Sequence, residues 1–64
     1  MKVNGREIEF KENTTIIDLL DEYGLKKDRV VVEINLNIIE ESQYDNYILN
    51  KEDVIELISF VGGG

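Results

Sequence analysis

The sequence predicts an α+β fold, a single domain in which one helix covers one face of a β-sheet. Segments with strand-like alternation or β-branched runs outnumber the one segment with helical spacing. Sixty-four residues leave room for one core and no second. Apolar residues make up 42% of the chain, enough to pack that core although 33% are charged. A domain this short buries only ~60% of the surface that its unfolded chain exposes, so the core is thin.

Residues 1–11 read as a β-hairpin. Asn4-Gly5 is the dipeptide best suited to the positive φ angles of a tight type I′ turn, and Glu7-Ile8-Glu9-Phe10-Lys11 alternates behind it. Ile8 and Phe10 therefore share a buried face. Glu12-Asn13 is a polar link. Thr14 or Thr15 then supplies a helix cap, with Asp18 in the first turn. Ile16, Ile17, Leu19, Leu20 and Tyr23 give the helix a broad apolar face. Gly24 ends it in a left-handed conformation, and Lys26 and Lys27 follow as solvated charge.

Val30-Val31-Val32-Glu33-Ile34 is β-branched and reads as a strand, Asn35 to Asn37 as a turn, and Ile38-Ile39 as a short strand. Residues 40–50 form an irregular segment anchored by Tyr44, Tyr47, Ile48 and Leu49. The last strand covers 54–61. Its alternation places Ile55 and Leu57 towards the helix and Val54, Glu56, Ile58 and Phe60 on the other face. Ile58, Phe60 and Val61 then form an apolar patch beside the tail unless the irregular segment covers them, and such a patch is a candidate docking surface. The element order suits a ubiquitin-like β-grasp, whose first and last strands lie parallel in the middle of a mixed sheet with one main helix packed across it. The expected organisation is a β-grasp domain over 1–61 and a flexible glycine tail over 62–64.

Composition excludes more than it names. Fourteen acidic residues against seven basic ones give a formal charge of −7, which disfavours nucleic acid as a partner and suits a basic face on a protein. The chain has no His and no Cys, so the commonest general base and the strongest side-chain nucleophile are missing. Ser42 and Ser59 have no histidine to activate them, and the chain reads as a non-enzyme. Without Cys or His there is no zinc-type site. The acidic pairs Asp21-Glu22, Glu40-Glu41 and Glu52-Asp53 read as solvated charge. No apolar run reaches the ~20 residues of a membrane span, and no secretory signal opens the chain. The expectation is a cytoplasmic protein, monomeric when free.

The chemistry lies at the end of the chain, where the last strand runs directly into Gly62-Gly63-Gly64. Bare glycine backbone fits a narrow cleft, and three extended residues carry the terminal carboxylate about 10 Å beyond the folded body. A free carboxylate is a poor electrophile. Adenylation by ATP turns it into a mixed anhydride that a sulfur nucleophile can attack, leaving a thiocarboxylate. The chain has no GxxxxGK[ST] loop and no GxGxxG, so ATP would be used by a partner enzyme and no cofactor is expected on this chain.

These segments together resemble the ThiS family, the sulfur carriers of thiamine (thiazole) biosynthesis. The likeness spans the chain: Val3-Asn4-Gly5, then Thr15-Ile16-Ile17-Asp18-Leu19-Leu20, then Val32-Glu33-Ile34-Asn35, and the ending Phe60-Val61-Gly62-Gly63-Gly64. The resemblance implies that Gly63-Gly64 is the functional pair and that the Gly64 carboxylate is adenylated and converted to thiocarboxylate. It further implies an adenylating enzyme of the ThiF type and a thiazole synthase as partners. Leu36 stands where a turn glycine is common, Glu40-Glu41 where Pro-Arg is often seen, and Lys51-Glu52-Asp53 in place of Asp-Gly-Asp. The molybdopterin synthase small subunit, also β-grasp and ending in Gly-Gly, is the nearest alternative, although this chain has no proline. A ubiquitin-like protein modifier and a non-covalent interaction module remain the other readings.

Overall fold

The computed structural model describes residues 1–60; Val61, Gly62, Gly63 and Gly64 lie outside the described residues. Six main elements follow one another: strands β1 (Lys2–Val3) and β2 (Arg6–Glu7), helix α1 (Ile16–Glu22), and strands β3 (Val30–Ile34), β4 (Asn37–Ile39) and β5 (Val54–Ser59). The strands form one sheet in the order β2-β1-β5-β3-β4. β1 and β5 are parallel, and the other pairs are antiparallel. This is the β-grasp arrangement, mixed and with the terminal strands side by side.

Both hairpin turns are built by asparagine. Asn4 and Gly5 have φ of 52° and 81°, the paired positive angles of a type I′ turn. Asn35 and Leu36 repeat the shape at 51° and 72°. The second turn thus keeps its form without the usual glycine, at a cost in backbone strain. The first hairpin is shorter than the alternation suggests, since β2 stops at Glu7. Ile8 and Phe10 are nonetheless half-buried against the core.

Helix α1 is fixed at both ends. Thr15 is the N-cap: its hydroxyl accepts from the Asp18 N–H at 3.1 Å, while the Asp18 carboxylate accepts from the Thr15 N–H at 3.1 Å. At the far end Gly24, with φ of 68°, donates to the Asp21 carbonyl, and the Leu25 N–H reaches back to Leu20 at 2.9 Å. Tyr23 departs from the expected apolar face. It falls at the C-cap, 43% exposed, and the turn at Gly24 lets Leu25 pack against the core instead.

The core lies between α1 and the inner face of the sheet. Ile16, Leu19 and Leu20 of the helix meet Val3, Val32 and Ile55 from the three central strands. The irregular segment closes the same side. Tyr44 and Leu49 are buried, and the Tyr44 hydroxyl donates to the Val30 carbonyl at 3.2 Å. Ile48 is an exception, exposed while its backbone bridges to Thr15. Short 3₁₀ turns at Lys27–Arg29 and Glu41–Gln43, not foreseen from the sequence, join the larger elements. No helix among the described residues is long and apolar enough to cross a membrane.

Candidate functional site

Strand β5 leads to the tail, and it is the central strand of the sheet, paired on both sides. β3 pairs with it along nearly its whole length, from Val30 opposite Ser59 to Ile34 opposite Ile55. β1 flanks its first two residues, with Lys2 opposite Val54 and Val3 opposite Ile55. Phe60 is still tied back by its N–H to the Arg29 carbonyl at 3.1 Å. The last described residue is therefore fixed beside the start of β3.

Asn4 and Asn35 extend the ladder where the flanking strands stop. Asn4 donates its N–H to the Ile55 carbonyl at 2.9 Å, and its side-chain oxygen accepts from the Leu57 N–H at 2.7 Å. Asn35 works at the other edge, where its side-chain oxygen accepts from the Val54 N–H at 3.0 Å. Its amide nitrogen donates to Asp53 at 3.0 Å. Asp53 is a correction to the sequence reading of Glu52-Asp53 as solvated charge. It is only 5% exposed and also accepts from the Asn50 N–H at 2.8 Å, closing the turn before β5. Burial of this carboxylate depends on Asn35, 18 residues earlier in the chain, which no local pattern reveals.

On β5 the inward residues are Ile55 and Leu57, both buried. Ile58 and Phe60 are 54% and 50% exposed, because the irregular segment packs on the helix side and does not cover them. Val54 shares that open face, with Val31 opposite Ile58 on β3 and Ile38 further out on β4. The expected patch is thus wider than Ile58 and Phe60. Alternation along β3 carries the signal for the extension, once its register with β5 is known. Val61, the third docking candidate, and the tail residues Gly62, Gly63 and Gly64 lie outside the described residues.

Two ionisable groups are perturbed. The chain's amino group sits 2.9 Å from the Glu7 carboxylate and, by hydrogen bond and charge, holds Glu7 below the usual carboxylate range, with Lys2 adding to the effect. Burial pushes the Tyr44 phenol up, partly opposed by the Val32 backbone. Among the described residues no group of three or more acidic side chains is arranged to hold a metal ion.

Known proteins match this architecture over its full extent. A sequence model of the ThiS family covers residues 1–64. The sulfur carrier protein ThiS of Bacillus subtilis is 43% identical over 100% of this chain and 98% of its own length. A thiazole synthase of Paramagnetospirillum magneticum is 39% identical over 97% of this chain, which spans 19% of that longer protein. The crystal structure of the thiamine biosynthesis protein ThiS of Geobacter metallireducens superposes with a TM-score of 0.77. It shares 27% identity, covering 98% of this chain and 96% of that one. By the match of the family model over the whole chain, the full-length likeness to a curated member and the shared fold, this chain belongs to the ThiS family.

Proposed function

We propose that this chain is a sulfur carrier of thiamine biosynthesis, working through the carboxylate of Gly64. In this reading a ThiF-type enzyme binds the chain and ATP. The Gly64 carboxylate attacks the α-phosphate, forming an acyl adenylate and releasing pyrophosphate. Hydrosulfide then attacks the acyl carbon, the bond from that carbon to the AMP oxygen breaks, and AMP leaves, so that the chain ends in a thiocarboxylate. Thiazole synthase receives the sulfur. The chain is a substrate of these enzymes and not itself a catalyst, and it acts as a cytoplasmic monomer.

The observation that carries the reading is the junction of a fixed central strand with Gly62-Gly63-Gly64. Ile58 and Phe60 precede that junction on the open face and, with Val61 next in sequence, are the docking residues for the adenylating enzyme. The likeness to a sulfur carrier over the whole chain, and to one part of a thiazole synthase, supports the same pathway.

Intact mass spectrometry provides the test. Incubated with the adenylating enzyme, ATP and a sulfur donor, the chain should gain the mass difference of one oxygen replaced by sulfur. Deleting Gly64 should abolish the gain. An unchanged mass, with an enzyme competent on its own carrier, would leave a non-covalent binding module as the function.

A further inference from the structure

Of the asparagines in the chain, Asn4 alone is followed by glycine. That pair has a chemistry of its own. Glycine has no side chain to shield its amide nitrogen, so the Gly5 nitrogen can close on the side chain before it. The nitrogen gives up its proton and bonds to Asn4 Cγ, the bond from Cγ to Nδ2 breaks, and the proton leaves on Nδ2 as ammonia. Water then opens the succinimide. Breaking the bond from the Gly5 nitrogen to Cγ leaves aspartate at position 4. Breaking the bond from that nitrogen to the main-chain carbonyl carbon leaves isoaspartate, with the chain rerouted through Cβ. Nothing is oxidised or reduced.

Burial does not protect the pair. Asn4 and Gly5 are both exposed, and a methyl group added at Gly5 would meet nothing within 4 Å among the described residues. Geometry protects it instead. The φ angles of 52° and 81° and the pairing of Val3 with Arg6 define a type I′ turn. In such a turn ψ of the first central residue is about +30°, which points the next nitrogen nearly opposite Cβ. Ring closure needs that nitrogen swung round to eclipse Cβ, and the swing undoes the turn. The side chain is held as well. Asn4 Oδ1 accepts from the Leu57 N–H at 2.7 Å, while the Asn4 N–H donates to the Ile55 carbonyl at 2.9 Å. Both tethers end on β5, so a hairpin that parts from β5 loses them together.

We propose that Asn4 is a site of spontaneous modification, closed while β1 is seated on β5 and open when the first hairpin leaves the sheet. The isoaspartyl product does not regain the native fold. Its extra main-chain atom breaks the two-residue turn, and the Leu57 N–H loses its acceptor. The aspartyl product does regain it, since aspartate tolerates the left-handed region and its carboxylate still accepts from Leu57. A chain that has spent time unfolded is thereby marked at its first turn. This holds whether or not the chain carries sulfur.

The free chain, kept at mildly alkaline pH below and above its urea midpoint, provides the test. Peptide mapping reads conversion at residue 4. Methyl transfer from S-adenosylmethionine by an isoaspartyl methyltransferase reads the isoaspartyl share. The unfolded chain should convert as fast as a peptide of residues 1–9 in the same urea, and the folded chain at least roughly 10-fold more slowly. Val3→Ala removes buried contacts of β1 and should speed the folded chain several-fold, leaving the unfolded rate unchanged. Gly5→Ala, read in the unfolded chain where folding has no bearing, should slow conversion roughly 10-fold. Asn4→Asp should show a urea midpoint close to that of the unaltered chain, and the purified isoaspartyl chain a clearly lower one. Equal rates in the folded and unfolded chains would overturn the protection, and an unfolded chain that never converts would overturn the site. An isoaspartyl chain as stable as Asn4→Asp would overturn the role given to the turn.

Discussion

Single residues decide how β5 is held. Asn4 does two jobs, turning the first hairpin and replacing the missing rung of the short strand β1. Asn4→Ala removes both, leaving an alanine in a left-handed conformation and the Leu57 N–H without its partner. The expected loss is about 2–3 kcal/mol, read from urea unfolding. Asn4→Gly keeps the turn and should lose only the smaller part. Glu7 gives the chain an acid-sensitive contact of a different kind. Its folded-state pKa is lowered by the chain's amino group, so its contribution to stability is complete above the ordinary carboxylate range and fades as pH falls through the lowered value. Glu7→Gln should therefore reduce the difference in urea midpoint between neutral and acidic solution.

At the scale of elements, the sequence is legible where a signal is local. The Asn4-Gly5 turn, the Gly24 stop and the alternation of β5 each depend on neighbours within a few residues, and each stands as read. The helix start is equally local. Thr15→Ala removes one side of a reciprocal cap and should cost about 1 kcal/mol, with helix fraying visible in amide exchange of Ile16 and Ile17. Elsewhere the deciding contacts are distant. Tyr23 has helical spacing, but the geometry of the Gly24 turn gives its place in the core to Leu25. Asp53 looks like any surface acid until Asn35 is brought beside it. Leu36 reads as a departure from a glycine turn, and only the backbone angles reveal that the turn persists around it. Of the candidate site, the exposure of Ile58 and Phe60 follows from alternation. The extension of that patch to Val31 and Ile38 requires the strand register, which a sequence does not state.

Across the whole molecule, one face of the sheet maintains the fold and the other is left uncovered. The two should separate under mutation. Val32 is fully buried at the centre, and Val32→Ala should cost about 2–3 kcal/mol of stability. Ile58→Ser on the outer face should change stability by no more than about 0.5–1 kcal/mol. In the carrier reading it should nonetheless slow conversion of Gly64, measured by mass spectrometry against time. A variant that lost stability and kept its conversion rate would show that Ile58 serves the fold and not docking.

The parallel pairing of β1 with β5 also has a mechanical consequence. A force drawing the two ends of the described chain apart acts along these neighbouring strands in opposite directions. Their connections (Lys2 to Asp53, Asn4 to Ile55, and Leu57 to the Asn4 side chain) are then loaded in shear and must yield together. The same force across the β3–β4 hairpin would peel its rungs singly. Single-molecule extension should accordingly meet more resistance between the ends than across that hairpin.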